Sequence, residues 1–102
     1  MKTVELISGA VAEDLRDTDF AKNYLNDLLQ DENPEIFLVG LQDVVKAHGG
    51  IAQAAEAIGV TRQALHKALS EQGNPRYTTL RGILRALDLD IRIARIEGDE
   101  AA

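Results

Sequence analysis

Apolar residues recur at helical spacing along most of the chain, and the most informative stretch runs from Gly50 to Leu69. Ile51, Ala54, Ala55 and Ile58 fall on one helical face, Gly59 interrupts the period, and Val60, Ala64, Leu65, Ala68 and Leu69 resume it. Glycine can take the positive φ that closes the first helix, and Thr61 has the side chain of an N-cap for the second. Small Ala55 lets the two helices cross closely, while Ile58, Val60 and Leu65 wedge the angle between them. The pattern therefore predicts a helix-turn-helix over residues 50–70. With Ala64, Leu65, Ala68 and Leu69 directed inward, Thr61, Arg62, Gln63, His66 and Lys67 remain outside. A partnerless pair of amphipathic helices joined by glycine fits the same spacing.

The flanking pattern supplies the other elements. Met1 to Leu6 alternates weakly, as a short strand or a loose arm would, and residues 1–16 read as an N-terminal arm. Asp17 or Thr18 opens a helix over 18–30 with Phe20, Tyr24, Leu25, Leu28 and Leu29 on one face. Asn33-Pro34-Glu35 starts the next helix, 34–48, with an N-cap, a proline at the first helical position and an early acid. Its apolar set (Ile36, Phe37, Leu38, Val39, Leu41, Val44, Val45) is wider than one stripe, so it should be the central buried helix. Gly49-Gly50 ends it. After a loop at 70–75, Thr78 or Thr79 caps a last helix, 78–88, with Leu80, Ile83, Leu84 and Leu87 inward. Leu89, Ile91 and Ile93 alternate with Asp90 and Arg92, which predicts a strand over 90–96. A lone strand needs a partner: the N-terminal segment or its copy in a second subunit. The fold class is thus all-α, five helices with a short C-terminal β-strand, in a single domain over 17–102.

Composition narrows the function. A chain of 102 residues, 45% hydrophobic, has one core and little margin for a second. It has no cysteine, and with no signal peptide or transmembrane run the cytoplasm is the expected compartment. The net charge of −6 is unfavourable for binding a polyanion, but the charge is unevenly spread. Met1 to Ala47 holds four basic and ten acidic residues, whereas Gly59 to Arg85 holds five basic residues (Arg62, Lys67, Arg76, Arg81, Arg85) and one acid, Glu71. No carboxylate occurs from Gly59 to Ser70. Such asymmetry suits two partners, a polyanion at one end and something basic at the other. The plainer reading is that the acids of the first half only solubilise it.

Enzyme chemistry is poorly supplied. His48 and His66 are the only histidines, and neither a Gly-rich phosphate loop nor a metal-ligand cluster occurs, so no catalytic residue, cofactor or metal is expected. His48 sits in the last turn of a helix, where a structural role suffices. DNA binding asks for side chains that reach base edges and others that hold phosphate. Arg62, Gln63 and Lys67 are the base-edge candidates, with His66 a fourth that could equally be a solvated surface residue. Gln53 and Thr61, with Asn74, Arg76, Tyr77 and Thr78 before the last helix, are the phosphate candidates. Turn chemistry and a hydrophobic lid by Tyr77 would also account for the loop residues.

Taken in order, GVTRQALHKALS, GNPRYTTL and ILRALDLDIRI, with DLRDTDFAKNYLNDLLQDENPEIF upstream, resemble a family of addiction-module antidote proteins with a Cro/repressor-type helix-turn-helix. The resemblance covers Asp14 to Ile96, and Met1 to Glu13 departs from it. It implies a lambda-repressor-like DNA-binding domain acting as a type II antitoxin, partnered with a small basic toxin of the RelE/ParE-like superfamily. It also implies a homodimer that binds double-stranded palindromic operator DNA and represses its own operon, with no membrane involvement. A stand-alone phage-type repressor without a toxin shares the same DNA face. An interaction module that no longer touches DNA would explain the acidic total charge.

Overall fold

The structure, a computed structural model, describes residues 13–70 and 72–96. The strand or arm expected at Met1 to Leu6 lies outside the described residues. The Asp17 carboxylate accepts from the amides of Asp19 (2.8 Å) and Phe20 (3.2 Å), and this cap starts α1, Thr18–Leu29. A single 3-10 turn, Asp14–Arg16, precedes it and places Leu15 wholly in the core. Two successive Asx bonds reverse the chain after α1: Asp31 accepts from the amide of Asn33 (2.8 Å), and Asn33 from that of Glu35 (3.0 Å). The second of these starts α2, Glu35–Ala47. Then follow α3, Ile51–Ile58; α4, Arg62–Ala68; and α5, Tyr77–Ala86.

Helix α2 is the centre, as its wide apolar set implies. Phe37, Leu41, Val44 and Val45 are all buried, and α1, the 3-10 turn and α3 pack against it. Helix α3 in turn packs on α4 and α5, so that Ile51, Ala55, Leu65, Leu69, Ile83, Leu84 and Leu87 complete one continuous core. No polar or charged residue is buried among the described residues. Each buried leucine or isoleucine contributes about 1.5–3 kcal/mol relative to exposure, which holds helices as short as α3 and α4 that would not persist alone. The His48 ring Nε2 lies 2.7 Å from the Leu15 carbonyl oxygen and ties the end of α2 to the 3-10 turn.

Several expectations are corrected. Among the described residues there is no strand: residues 90–96 carry no ladder. The physical reason is local, since the Asp90 carboxylate is taken by Arg81, Arg85 and the amide of Ile91, and among the described residues no second edge lies beside the segment. The last helix begins at Tyr77, with Arg76 as its N-cap and no side-chain cap, so neither Thr78 nor Thr79 plays that part. Phe20 (39% exposed), Leu29 (57%) and Val60 (37%) lie at the margin of the core rather than in it. Ala64 is exposed, because only Leu65 of α4 and its C-cap Leu69 reach the core fully and Ala68 is half-buried.

Candidate nucleic-acid interface

The corner between α3 and α4 is built from two residue types. Gly59 takes φ 80° and ψ 30°, left-handed values that other residues adopt only with strain, and the next amide, Val60, bonds back to the Ala55 carbonyl at 3.0 Å. Thr61 is extended (φ −77°, ψ 155°), and its hydroxyl accepts from the Ala64 amide at 3.0 Å while its carbonyl accepts from Leu65. Leu65 and Leu69, both essentially inaccessible, then pin α4 to the core. At the far end Gln42 of α2 donates to the Leu69 carbonyl at 3.5 Å.

These constraints decide which side of α4 meets solvent. Thr61, Arg62, Gln63, His66 and Lys67 are all exposed, and so is Ala64. At 100° per residue, Gln63, Ala64 and Lys67 stand farthest from the Leu65–Leu69 seam, and Arg62 projects from the first turn. Ala64 was missed from the sequence because, as an apolar residue four positions from both Val60 and Ala68, it was grouped with the core set. The signal that could have found it is its angular distance from the Leu65–Leu69 seam. His66 differs from its neighbours, since it borders a shallow recess with Val39 and Gln42 of α2 and Leu69, Ser70 and Gln72.

The remaining candidates occupy two other places. Gln53 is exposed on the first turn of α3, and its carboxamide folds back against Gly49. The loop after α4 is held tightly to that helix: the Ser70 hydroxyl donates to the Lys67 carbonyl (2.8 Å), and the Gly73 amide donates to the Ser70 carbonyl (2.9 Å). Asn74, Arg76, Tyr77 and Thr78 follow, all exposed, with Tyr77 61% accessible. Because no side chain caps α5, the amides of its first turn are open to an external acceptor.

Charge at this end is partly spoken for. Asp90 binds Arg81 (3.2 Å) and Arg85 (2.7 Å), so two of the five cations counted from the sequence already have an anion. The hydrogen bond from Arg81, then the Ile91 amide, holds the Asp90 carboxyl below the usual range, and Asp90 pushes Arg81 up. Arg62, Lys67 and Arg76 make no ion pair among the described residues. Away from this end, burial and then the nearby Asp43 raise the Tyr24 phenol to about 12, and burial raises Asp43 against the pull of Lys46. Among the described residues no group of three His, Cys, Asp or Glu could hold a metal ion, and no helix is long and apolar enough to cross a membrane.

Residues 5–95 match the profile of a family described as "Probable addiction module antidote protein". The match reaches back to residue 5, beyond the Asp14 at which the resemblance in the sequence begins. The chain is also similar to an uncharacterized protein of Haemophilus influenzae (strain ATCC 51907 / DSM 11121 / KW20 / Rd), 36% identical over 91 residues, which span 89% of this chain and 93% of that protein. No solved structure matches the chain.

Proposed function

The chain belongs to the family of probable addiction module antidote proteins, and from that premise we propose that it is a type II antitoxin that also represses its own operon by binding DNA. The observation that carries the DNA half is the outward side of α4: a capped helix on a buried Leu65–Leu69 seam, presenting amide and cationic side chains with no carboxylate from Gly59 to Ser70. In this reading α3 and α4 are a helix-turn-helix in a lambda-repressor-like arrangement, and α4 enters the major groove. Arg62 and Lys67 pair with guanine edges and Gln63 with adenine, while Ala64 adds an apolar surface for a thymine methyl. His66 lies at the flank. Gln53, Thr61, Asn74, Arg76, Tyr77, Thr78 and the open amides of α5 hold phosphate and set the register.

The antitoxin half rests on family membership and on charge. Asp14, Asp17, Asp19, Asp27, Asp31, Glu32 and Glu35 are exposed on α1, the turns beside it and the start of α2, an acidic surface suited to a small basic toxin of RelE/ParE-like type. The mechanism is occlusion and requires no catalysis or cofactor. One α4 reads only a few base pairs, so a homodimer on a palindromic operator is part of the proposal, as is a cytoplasmic location. The test is a salt-titrated gel shift with the chain's own upstream region, together with co-purification with the product of the adjacent gene. Retention that weakens steeply with salt, and a basic partner of about this chain's size, support the two halves. Absence of any shift at low salt would remove the DNA half.

A further inference from the structure

Tyr77, Arg81 and Arg85 stand four residues apart on one exposed row of α5. The row opens at Tyr77, placed on phosphate in the proposed function, and reaches the two arginines about 6 Å and about 12 Å farther along the helix. Both arginines are already occupied. Asp90 turns one carboxylate oxygen to each: Oδ1 accepts from Arg81 Nε at 3.2 Å and Oδ2 from Arg85 Nη1 at 2.7 Å, while the Ile91 amide donates to Oδ1 at 2.8 Å. A phosphodiester offers its two free oxygens to arginine in the same manner. Asp90 is carried by the short segment after α5. The Leu89 amide holds that segment to the Leu84 carbonyl (2.8 Å), and Leu89 and Ile91 line a mainly apolar groove of roughly 690 Å³ between α1 and α5, with Leu25, Leu29 and Phe37.

We propose that Asp90 is an internal stand-in for a DNA phosphate and keeps Arg81 and Arg85 off the nucleic-acid backbone. The inference rests on the DNA reading of α4 and adds a control to it. With two cations withheld, the duplex meets Arg62, Lys67 and Arg76, which make no ion pair among the described residues. Each phosphate neutralised adds about 0.9 to the salt slope, so the mask leaves binding less salt-dependent than the charges of the sequence imply. The two ion pairs are exposed and weak. Displacing one segment frees both arginines together, which ties DNA affinity to the position of Asp90. A contact that only fastened the segment would alter stability and leave the number of neutralised phosphates unchanged.

The test is a salt-titrated gel shift on the chain's own upstream region with the natural chain, Asp90→Asn, Asp88→Asn, and Asp90→Asn combined with Arg81→Gln and Arg85→Gln. Asparagine at 90 keeps an acceptor for the Ile91 amide. Asp88 is exposed, makes no ion pair among the described residues and has φ 64°, which asparagine tolerates, so its variant changes the charge equally without freeing an arginine. Asp90→Asn should steepen the salt slope by about 1.8, so that its advantage over the natural chain grows roughly tenfold from about 200 mM to about 50 mM salt. Asp88→Asn should keep the natural slope, and the triple variant should return to it. Equal slopes for Asp90→Asn and Asp88→Asn, or a steep slope kept by the triple variant, overturn the proposal and leave the DNA reading in place. A marked fall in the urea midpoint of Asp90→Asn would make the contact a tether of the fold and overturn it too. No retention by any of these chains at low salt removes the DNA reading, and the mask with it.

Discussion

The Thr61 hydroxyl accepts the Ala64 amide at 3.0 Å, and this bond fixes where α4 begins. Helix α4 has only seven residues, so a lost cap is felt along its whole length. Thr61→Val keeps the shape and removes the acceptor. It should cost about 1 kcal/mol, read as a lower urea midpoint at unchanged slope, and Thr61→Ser should restore most of it.

Arg62, Gln63 and Lys67 are exposed and anchor nothing in the core. Their joint replacement by alanine should leave thermal unfolding nearly unchanged and abolish operator retention, with toxin neutralisation intact. Singly, a base-edge contact should cost about 1–3 kcal/mol and relax preference at its position, whereas a phosphate contact should lower the salt slope by about 1. Gel shifts on operator variants at several salt concentrations distinguish these outcomes; full retention by the triple variant would sink the assignment.

Ala64 gives a sharper check of which way α4 faces. Ala64→Glu places a carboxylate on the outward side, so stability should move by no more than about 0.5 kcal/mol while DNA retention falls by tenfold or more. Were Ala64 in the core, where its apolar character grouped it in the sequence, the same variant would unfold.

Gly73 lies where the loop passes the end of α4. A Cβ there would stand 2.0 Å from the Ala68 carbonyl oxygen and 2.7 Å from that of Lys67, both backbone atoms. Gly73→Ala must therefore move the loop that carries Asn74, Arg76 and Tyr77. The expected cost is about 1–3 kcal/mol in chemical denaturation, and DNA retention should fall by more than that loss of folded protein accounts for.

Alkaline pH tests the packing of α1 on α2. The folded chain holds the Tyr24 proton to about pH 12, through burial and then Asp43, against about 10 for an unhindered tyrosine. Below pH 10 both states keep the proton; between 10 and about 12 the unfolded chain alone loses it, so stability falls across that window. Asp43→Asn removes one of the two causes. It should lower the phenol's titration midpoint, followed by phenolate absorbance, and narrow the window in which the urea midpoint drops.

The helices, and the capping bonds of all but the last, were legible in the sequence because each depends on neighbours a few residues apart. Asp17, Asn33 and Thr61 cap through bonds of two or three residues' reach, and Gly59 turns the chain through its own φ. The breadth of the apolar set from Ile36 to Val45 likewise announced a helix with neighbours on several sides. Placement on exposed surface followed from period for Gln63 and Lys67, which stand opposite Leu65 and Leu69, whereas Arg62 falls on the seam's own side and is exposed because it opens the first turn of α4.

What period could not decide is how much of each apolar face finds a partner. Alanine satisfies both core and surface, so its residue type did not decide Ala64; its exposure came with the burial of Leu65 and Leu69. The alternation from Leu89 to Ile93 is a strand's pattern, but a strand exists only with a second edge, and Asp90 instead fastens the segment to Arg81 and Arg85 nine and five residues back. Leu29, Ile93 and Ile96 stay solvated in the single chain. The local order of this protein is thus written in short-range steric and capping bonds, while its exposed apolar groove and the side of α4 that meets solvent depend on packing between elements distant in the chain.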